Sequence, residues 1–532
     1  MLEHNYLYKN GTTLKNKYGI KNSQKLYART ANDAAKEAVN FRYEPPPRKF
    51  NSQYLKTIHW SLFHKSFEWA GQTRDKLFTF EDGSSAHMPA MRPKGYPVPF
   101  AIGPQIQKRL KQLDRKLAAM NNLQGLSRQD FVENAATVFA ELNSIHPFRK
   151  GNGRAQRMFM EKLGQAAGYE IDFSFTTKER MDTACIAAMQ HGNQEPMHHL
   201  FEDITHPQKA FILKEFIYQM KECGLSQINN RVVVAAKEGV KYDGFYRGHA
   251  AEGFVIEAKD VFVIGHIDDL SPQQIKTLRD GDYISFEKTN IQNLQKTLIP
   301  AEILMPLTYE ELVEKITSDP FVEICQKEVL RLSKIVYGKT QTLDEKLEMI
   351  YEDPNLCEQL ADKIAEDPKS INKLAGRKIL CIKSPKRRRA EKAVSQLSET
   401  LKGYATTIQR TKDEILENHE REQRCKKQLV EYPSKNLQQL FSLPQEQRGE
   451  VLSHSRALQQ ELHVFSRKLY NRLSSEERKA IEEQNHTRLS CLLGTSESKA
   501  KEISNILKQT KETQHQVRTL KISRCSSMAL TN

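Results

Sequence analysis

The sequence predicts a mainly α, multidomain protein interrupted once by a small β-barrel, and three observations lead there. Apolar residues recur at helical spacing through residues 1–210 and again from about 305 onward. Between these stretches the period shortens to β-type runs, "RVVVAAK", "GFVIEAK", "VFVIGHI" and "DYISFEK", parted by Gly and Asp with one helical insert at "SPQQIKTLRD". At 532 residues the chain is also too long for a single core. The reading therefore gives a helical domain at 1–210, a barrel connector at 211–304, an antiparallel helical bundle at 305–490 and a basic, loose tail at 491–532.

Each element has its own signal. In "LSRQDFVENAATVFAELNSIHPF", Phe131, Ala135, Val138, Phe139 and Leu142 fall on one helical face, so a helix delivers the chain to His146. In "RAQRMFMEKLGQAAG", Phe159, Leu163 and Ala166 do the same, which makes the glycine-rich stretch between them a helix–loop–helix junction. Upstream, residues 67–100 hold a short alternating run at 76–81, then Asp-Gly and four prolines, the pattern of a hairpin or flap. In the last third, Gly and Pro serve as punctuation between long charged helices, as in "EYPSK" and "SLPQE".

Composition narrows the class. With 38% apolar and 28% charged residues the chain suits a soluble protein with much exposed helix. The N-terminus "MLEHNYLYKN" lacks the apolar core of a Sec signal, and no run of about 18 apolar residues predicts a membrane span. Eight cysteines without C-x-x-C pairing argue against a disulfide framework and a zinc ribbon. The net charge of +15 is concentrated: residues 371–532 hold 32 basic and 18 acidic side chains, the first 370 residues 49 and 48. A chain polarised in this way points to an anionic or acidic partner at its C-terminal end, against the plainer reading of a solvated helical surface. The β region, with 9 basic and 10 acidic residues over 231–300, offers no funnel for a phosphate backbone, so nucleic acid is not expected there.

"HPFRKGNGRAQR", residues 146–157, concentrates the chemistry. Adjacent N–H groups at a helix start form an anion nest, and Gly151 and Gly153 let the backbone approach a phosphate without a Cβ in the way. Asn152 adds a donor, Arg154 and Arg157 suit the α/β- and γ-phosphates, and His146 stands where a general base would sit. Phe148 reads as the buried anchor of the loop.

This segment resembles the signature of the Fic family, His-x-Phe-x-(Asp/Glu)-Gly-Asn-Gly-Arg-x-x-Arg. Seven fixed positions in order would arise by chance with a probability on the order of one in a million. The upstream "FEWAGQTR" is similar to the stretch leading into the Fic flap. The resemblance implies transfer of AMP from ATP to a Ser, Thr or Tyr hydroxyl of a target protein, with His146 as base. It implies that Gly151, Asn152, Gly153, Arg154 and Arg157 bind the nucleotide, and that the flap strand Lys76, Leu77, Phe78, Thr79, Phe80 and Glu81 holds the target as an added β-strand. The family's (Ser/Thr)-x-x-x-Glu-(Gly/Asn) restraint is absent from the chain, which leaves room for a separate small inhibitory antitoxin.

One position departs. Lys150 stands where the family carries Asp or Glu to help hold Mg²⁺, and an ammonium supplies no oxygen ligand. No metal ligand set is therefore expected; Lys150 can still meet phosphate as a point charge, and Mg²⁺-dependent transfer is expected to be much reduced.

The barrel resembles an OB fold. The stretches "VLRLSKIVYGK", "INKLAGRKILCIKSPKRRRAEKAVSQL" and "RLSSEERKAI" resemble the BID domain of effectors secreted by bacterial type IV machinery. A Fic–OB–BID order is similar to the Bartonella effector proteins. It implies a secretion signal in the bundle and tail, translocation from the bacterial cytoplasm into host cells, and a host target protein. The run "KSPKRRRAEK" at 383–392 reads as a solvated helix start, with an anionic membrane or a nuclear address as alternatives. "MHHL" at 197–200 is not read as a metal site, because adjacent histidines on a helix diverge. The competing function is a non-catalytic adaptor, in which the Fic fold binds a host protein and the BID surface or a membrane localises it.

Overall fold

The computed structural model describes residues 6–9, 11–224, 226–289, 296–339, 355–379 and 382–529, with Leu343, Leu347 and Tyr351 as single positions. The chain forms two compact units, the first built mainly from residues 1–270 and 277–294, the second from 295–495 and 499–532 with 271–276.

In the first unit the helices are α1 (Ser23–Tyr43), α2 (Ser52–Phe63), α3 (Pro104–Ala119), α4 (Arg128–Ile145), α5 (Asn152–Ala167), α6 (Lys178–His191), α7 (Glu195–Thr205) and α8 (Pro207–Glu222). Ser127 caps α4 by accepting the Asp130 N–H, and the helix buries Phe131, Ala135, Val138, Phe139 and Leu142, the face expected from their spacing. On α5, Phe159 and Leu163 are buried and Ala166 is half-buried. Gln156, itself buried, ties the two helices by donating to the Leu142 carbonyl at 2.9 Å.

The flap is a hairpin of β1 (Phe78–Thr79) and β2 (Ser85–Ala86) around Asp82 and Gly83. Glycine at 83 has φ of +76°, the left-handed conformation the turn requires.

The expected barrel is corrected. Strands β3 (Val232–Ala235), β4 (Lys241–His249), β5 (Gly253–Ala258), β6 (Val261–His266) and β7 (Tyr283–Glu287) form one sheet in the order β3-β6-β5-β4-β7. β3 runs parallel to β6 and the other pairs are antiparallel. β3 and β7 end the sheet, and among the described residues no ladder closes it. One face packs on a helix, where Ile212, Leu213, Phe216 and Ile217 of α8 share an apolar cluster with Val233, Val255 and Ile264; on the other, Phe254, Ile256, Val263 and Phe286 are buried, with the Phe254 and Phe286 rings 4.7 Å apart.

The second unit is helical: α9 (Pro272–Thr277), α10 (Tyr309–Thr317), α11 (Pro320–Tyr337), α12 (Asn355–Glu366), α13 (Pro385–Lys426), α14 (Lys435–Ser442), α15 (Gln445–His454), α16 (Arg456–Arg472), α17 (Ser475–Glu482), α18 (His486–Leu493) and α19 (Glu497–Ala529). Its cores are two. One joins Val329, Leu332 and Val336 to Ile364 and to Leu397, Leu401 and Tyr404 of the 42-residue α13. The other gathers Leu437, Leu462, Leu469 and Leu489 beneath a strand pair, β8 (Thr297–Ile299) with Val430–Glu431. The loose tail expected after 490 is also corrected. Ala500, Ile503 and Leu507 are buried in this second core, because their spacing gives α19 an apolar stripe that needs cover. At "KSPKRRRAEK" the chain starts α13: Ser384 caps it by accepting the Arg387 N–H, and Lys383 and Arg387 both pair with Glu391.

Candidate functional site

His146 ends α4 in a left-handed conformation, φ +48° and ψ +61°, which costs a non-glycine residue about 1 kcal/mol. Arg74 holds it there. This fully buried side chain donates from Nε to the His146 carbonyl at 2.9 Å and from its other nitrogens to the carbonyls of Met88, Pro89 and Ala101 at 3.1, 2.8 and 2.7 Å. One guanidinium thereby ties the histidine, the strand leaving the flap and the start of α3 into a single frame. The His146 ring stacks on Phe100 with centroids 3.9 Å apart. Burial, reinforced by the Arg74 charge, pushes the imidazole pKa down to about 3, so the ring is neutral at physiological pH. Its Nδ1 is buried without a hydrogen-bond partner among the described residues.

The loop is fixed from within. The Phe148 N–H donates to Asn152 Oδ1 at 2.9 Å, and Asn152 Nδ2 donates back to the Phe148 carbonyl at 2.7 Å. Asn152 is 2% exposed, so its side chain braces the loop and does not offer the phosphate donor expected of it. Phe148 is buried, as an anchor should be, and stacks on His59 at 3.8 Å. His59 is a residue the sequence reading missed. Its Nδ1 accepts the Gly71 N–H at 2.9 Å, so Nε2 carries the proton and donates to the Lys150 carbonyl at 2.9 Å. Burial pushes its pKa down to about 4 and keeps it neutral.

Gly151 caps α5 with φ of +90°, and a Cβ there would stand 2.4 Å from the Phe63 ring, so only glycine fits. No side chain caps α5 and no acidic residue lies in its first turn, so among the described residues its leading N–H groups meet no capping side chain. Gly151 and Gly153 line a cavity of about 460 Å³ together with Arg149, Lys150, Arg154 and Arg157, and side chains between Thr12 and Thr30 contribute to the same wall. Arg154 lies 5.9 Å over the rings of both Tyr27 and Phe63. Burial, together with the Arg154 charge, lowers the Arg157 pKa. Of the expected nucleotide-binding residues, Gly151, Gly153, Arg154 and Arg157 thus line one cavity, and Lys150 joins them.

These residues do not fit a magnesium ion. Position 150 carries an ammonium, and among the described residues no group of three His, Cys, Asp or Glu side chains is placed to hold a metal. His199, half of the adjacent histidine pair, instead bonds the Ala235 carbonyl at 2.9 Å and lies 3.4 Å from the buried Asp203.

The flap strand is divided between two faces. Lys76, Leu77, Thr79 and Glu81 are exposed and Phe78 is half-buried, but Phe80 is 4% exposed and packs on Tyr6, so it supports the hairpin and cannot touch a target. Among the described residues β1 pairs with β2 alone, which leaves its other edge without a strand partner.

Comparison with known proteins agrees with this geometry. The Fic/DOC family model matches residues 49–163, from just before α2 into α5. A protein adenylyltransferase of Bartonella henselae is 44% identical over 99% of this chain and 97% of its own length. The solved type IV secretion system effector protein BepA is 49% identical over 54% of this chain and 97% of that one, with a TM-score of 0.52. The chain belongs to the Fic family of Bartonella effector proteins. A solved BepC protein from Bartonella tribocorum with bound AMPPNP is 70% identical to this Fic effector over 39% of the chain and 98% of that one, with a TM-score of 0.38. An intracellular delivery domain model matches residues 234–286, which in this Fic effector form the five-stranded sheet.

Proposed function

We propose that this chain is an effector moved by a bacterial type IV secretion system into host cells, where its Fic domain binds ATP and presents a target hydroxyl to His146. The observation that carries the reading is the start of α5, which no side chain caps and whose glycines and two arginines line one cavity, in the loop that follows His146 by five positions. In the transfer step the target hydroxyl oxygen attacks the α-phosphorus, His146 accepts the hydroxyl proton, and the bond to the β-phosphate breaks to release pyrophosphate. The open edge of β1 would hold the target chain by backbone pairing.

Lys150 favours a second reading. With an ammonium where the family places a carboxylate, transfer runs much more slowly than in an unmodified Fic site, and the fold works chiefly as an adaptor that binds a host protein. Delivery is assigned to residues 305–490 and the C-terminal helix, and the match at 234–286 makes the sheet a second segment for deletion. The test is labelling of host-lysate proteins from α-³²P-ATP. Labelling by the natural protein that His146→Ala abolishes supports the enzyme; labelling by Lys150→Glu alone supports the adaptor.

A further inference from the structure

We propose that the phosphate cavity selects metal-free nucleotide: it takes ATP as the fully ionised tetra-anion and disfavours the magnesium complex, with Lys150 setting the choice. The inference rests on the nucleotide reading above and adds which ionic form is bound.

Charge accounting carries the argument. Arg149, Lys150, Arg154 and Arg157 line the cavity, and no Asp, Glu, His or Cys is among its lining residues. The remaining polar lining is hydroxyl, including Thr12, Thr13 and Ser23. Two carboxylates reach Arg157 with their field, Glu161 and Asp182. Both are engaged elsewhere, Glu161 with Arg42 at 2.7 Å and Asp182 with Lys178 at 2.7 Å. Four cations and the positive end of α5 therefore face the ligand without an internal counter-charge. A free triphosphate carries four negative charges and its magnesium complex about two, so the metal would cancel half of the attraction.

Magnesium would also need oxygen ligands, and the cavity wall supplies no carboxylate. Lys150 is placed to act in its stead. Its carbonyl is pinned by His59 while its side chain remains exposed at the rim, so the ammonium can reach a phosphate without disturbing the loop. Lysine meets phosphate as a point charge, as a metal ion does, but it does not demand octahedral oxygens.

The test is calorimetric titration of the full-length protein with ATP, in EDTA and in saturating Mg²⁺ at matched ionic strength. Binding in EDTA should be about tenfold tighter or more. Lys150→Glu should reverse the order, and Lys150→Met should weaken binding in EDTA while narrowing the gap. Because Lys150 is exposed, all three chains should show matching unfolding curves. Equal or tighter binding with Mg²⁺ by the natural protein would overturn the inference and leave the nucleotide reading intact. A Lys150→Glu chain that keeps the natural preference would overturn the role of the lysine. No binding in either arm would instead remove the nucleotide reading itself.

Discussion

His59 and Lys150 are 91 positions apart in the chain, yet the buried His59 ring donates to the Lys150 carbonyl at 2.9 Å. The same ring accepts the Gly71 N–H and stacks on Phe148, so three segments meet on one imidazole. Replacing it with Phe keeps the stacking but strands a part-buried carbonyl and a part-buried N–H. His59→Phe should cost about 1–3 kcal/mol, read by urea unfolding, and should weaken nucleotide binding by loosening the loop. Unchanged affinity would show that the α5 nest holds its shape without this contact.

Gly151 and Gly168 both have positive φ, +90° and +85°, at opposite ends of α5. Only at Gly151 would a Cβ collide, 2.4 Å from the Phe63 ring, while nothing lies within 4 Å at Gly168. Gly151→Ala should therefore cost about 2–4 kcal/mol and Gly168→Ala about 1 kcal/mol. Adding Phe63→Leu should recover part of the first loss and none of the second. Equal costs at both glycines would mean that backbone strain alone matters.

His59 and His146 make the first unit acid-sensitive. Their folded pKa values, about 4 and about 3, lie below the 6.5 of an unperturbed histidine. Above pH 6.5 both states are neutral and stability is flat. As pH falls further the unfolded chain binds the protons first, so stability drops by up to about 1.4 kcal/mol per pH unit for each ring. The loss levels off only once the folded rings protonate. Urea midpoints should fall between pH 7 and pH 5, and His59→Phe should make that slope shallower; a midpoint constant over the range would contradict the buried, neutral assignment.

In the second unit Lys426 bonds Glu302 at 3.2 Å and also Glu477, all three buried. Lys276 shares Glu302 at 2.5 Å, and Glu477 accepts the Ser474 N–H at 2.7 Å. Lys426→Met leaves Arg472 at 4.0 Å as the cation nearest Glu477 among the described residues, and should cost about 3–5 kcal/mol. Lys426→Met combined with Glu477→Gln should cost less than the single change, because the second substitution removes the stranded charge.

Much of the site was legible because it is contiguous. His146 to Arg157 span twelve positions, and glycine, histidine and arginine have few substitutes in a phosphate nest. Arg74 stood in the quoted "FEWAGQTR", but nothing local tells that its guanidinium will reach four carbonyls across the chain. Asn152 misled for a related reason. A side-chain amide beside a glycine loop looks like a ligand donor until its two partners, both on Phe148, are seen.

The sequence by itself determined the helical periods, the glycine loop between two helices and the lysine in place of a carboxylate. Each is set by covalent structure or by neighbours within about one helical turn. Tertiary structure alone decided that β3 to β7 stay an open sheet under α8, that residues 497–529 form a helix whose start is packed, and that His59 and Arg74 hold the loop. Those outcomes depend on which apolar face finds cover and which distant carbonyl a buried donor meets, and long-range burial is not written in local spacing.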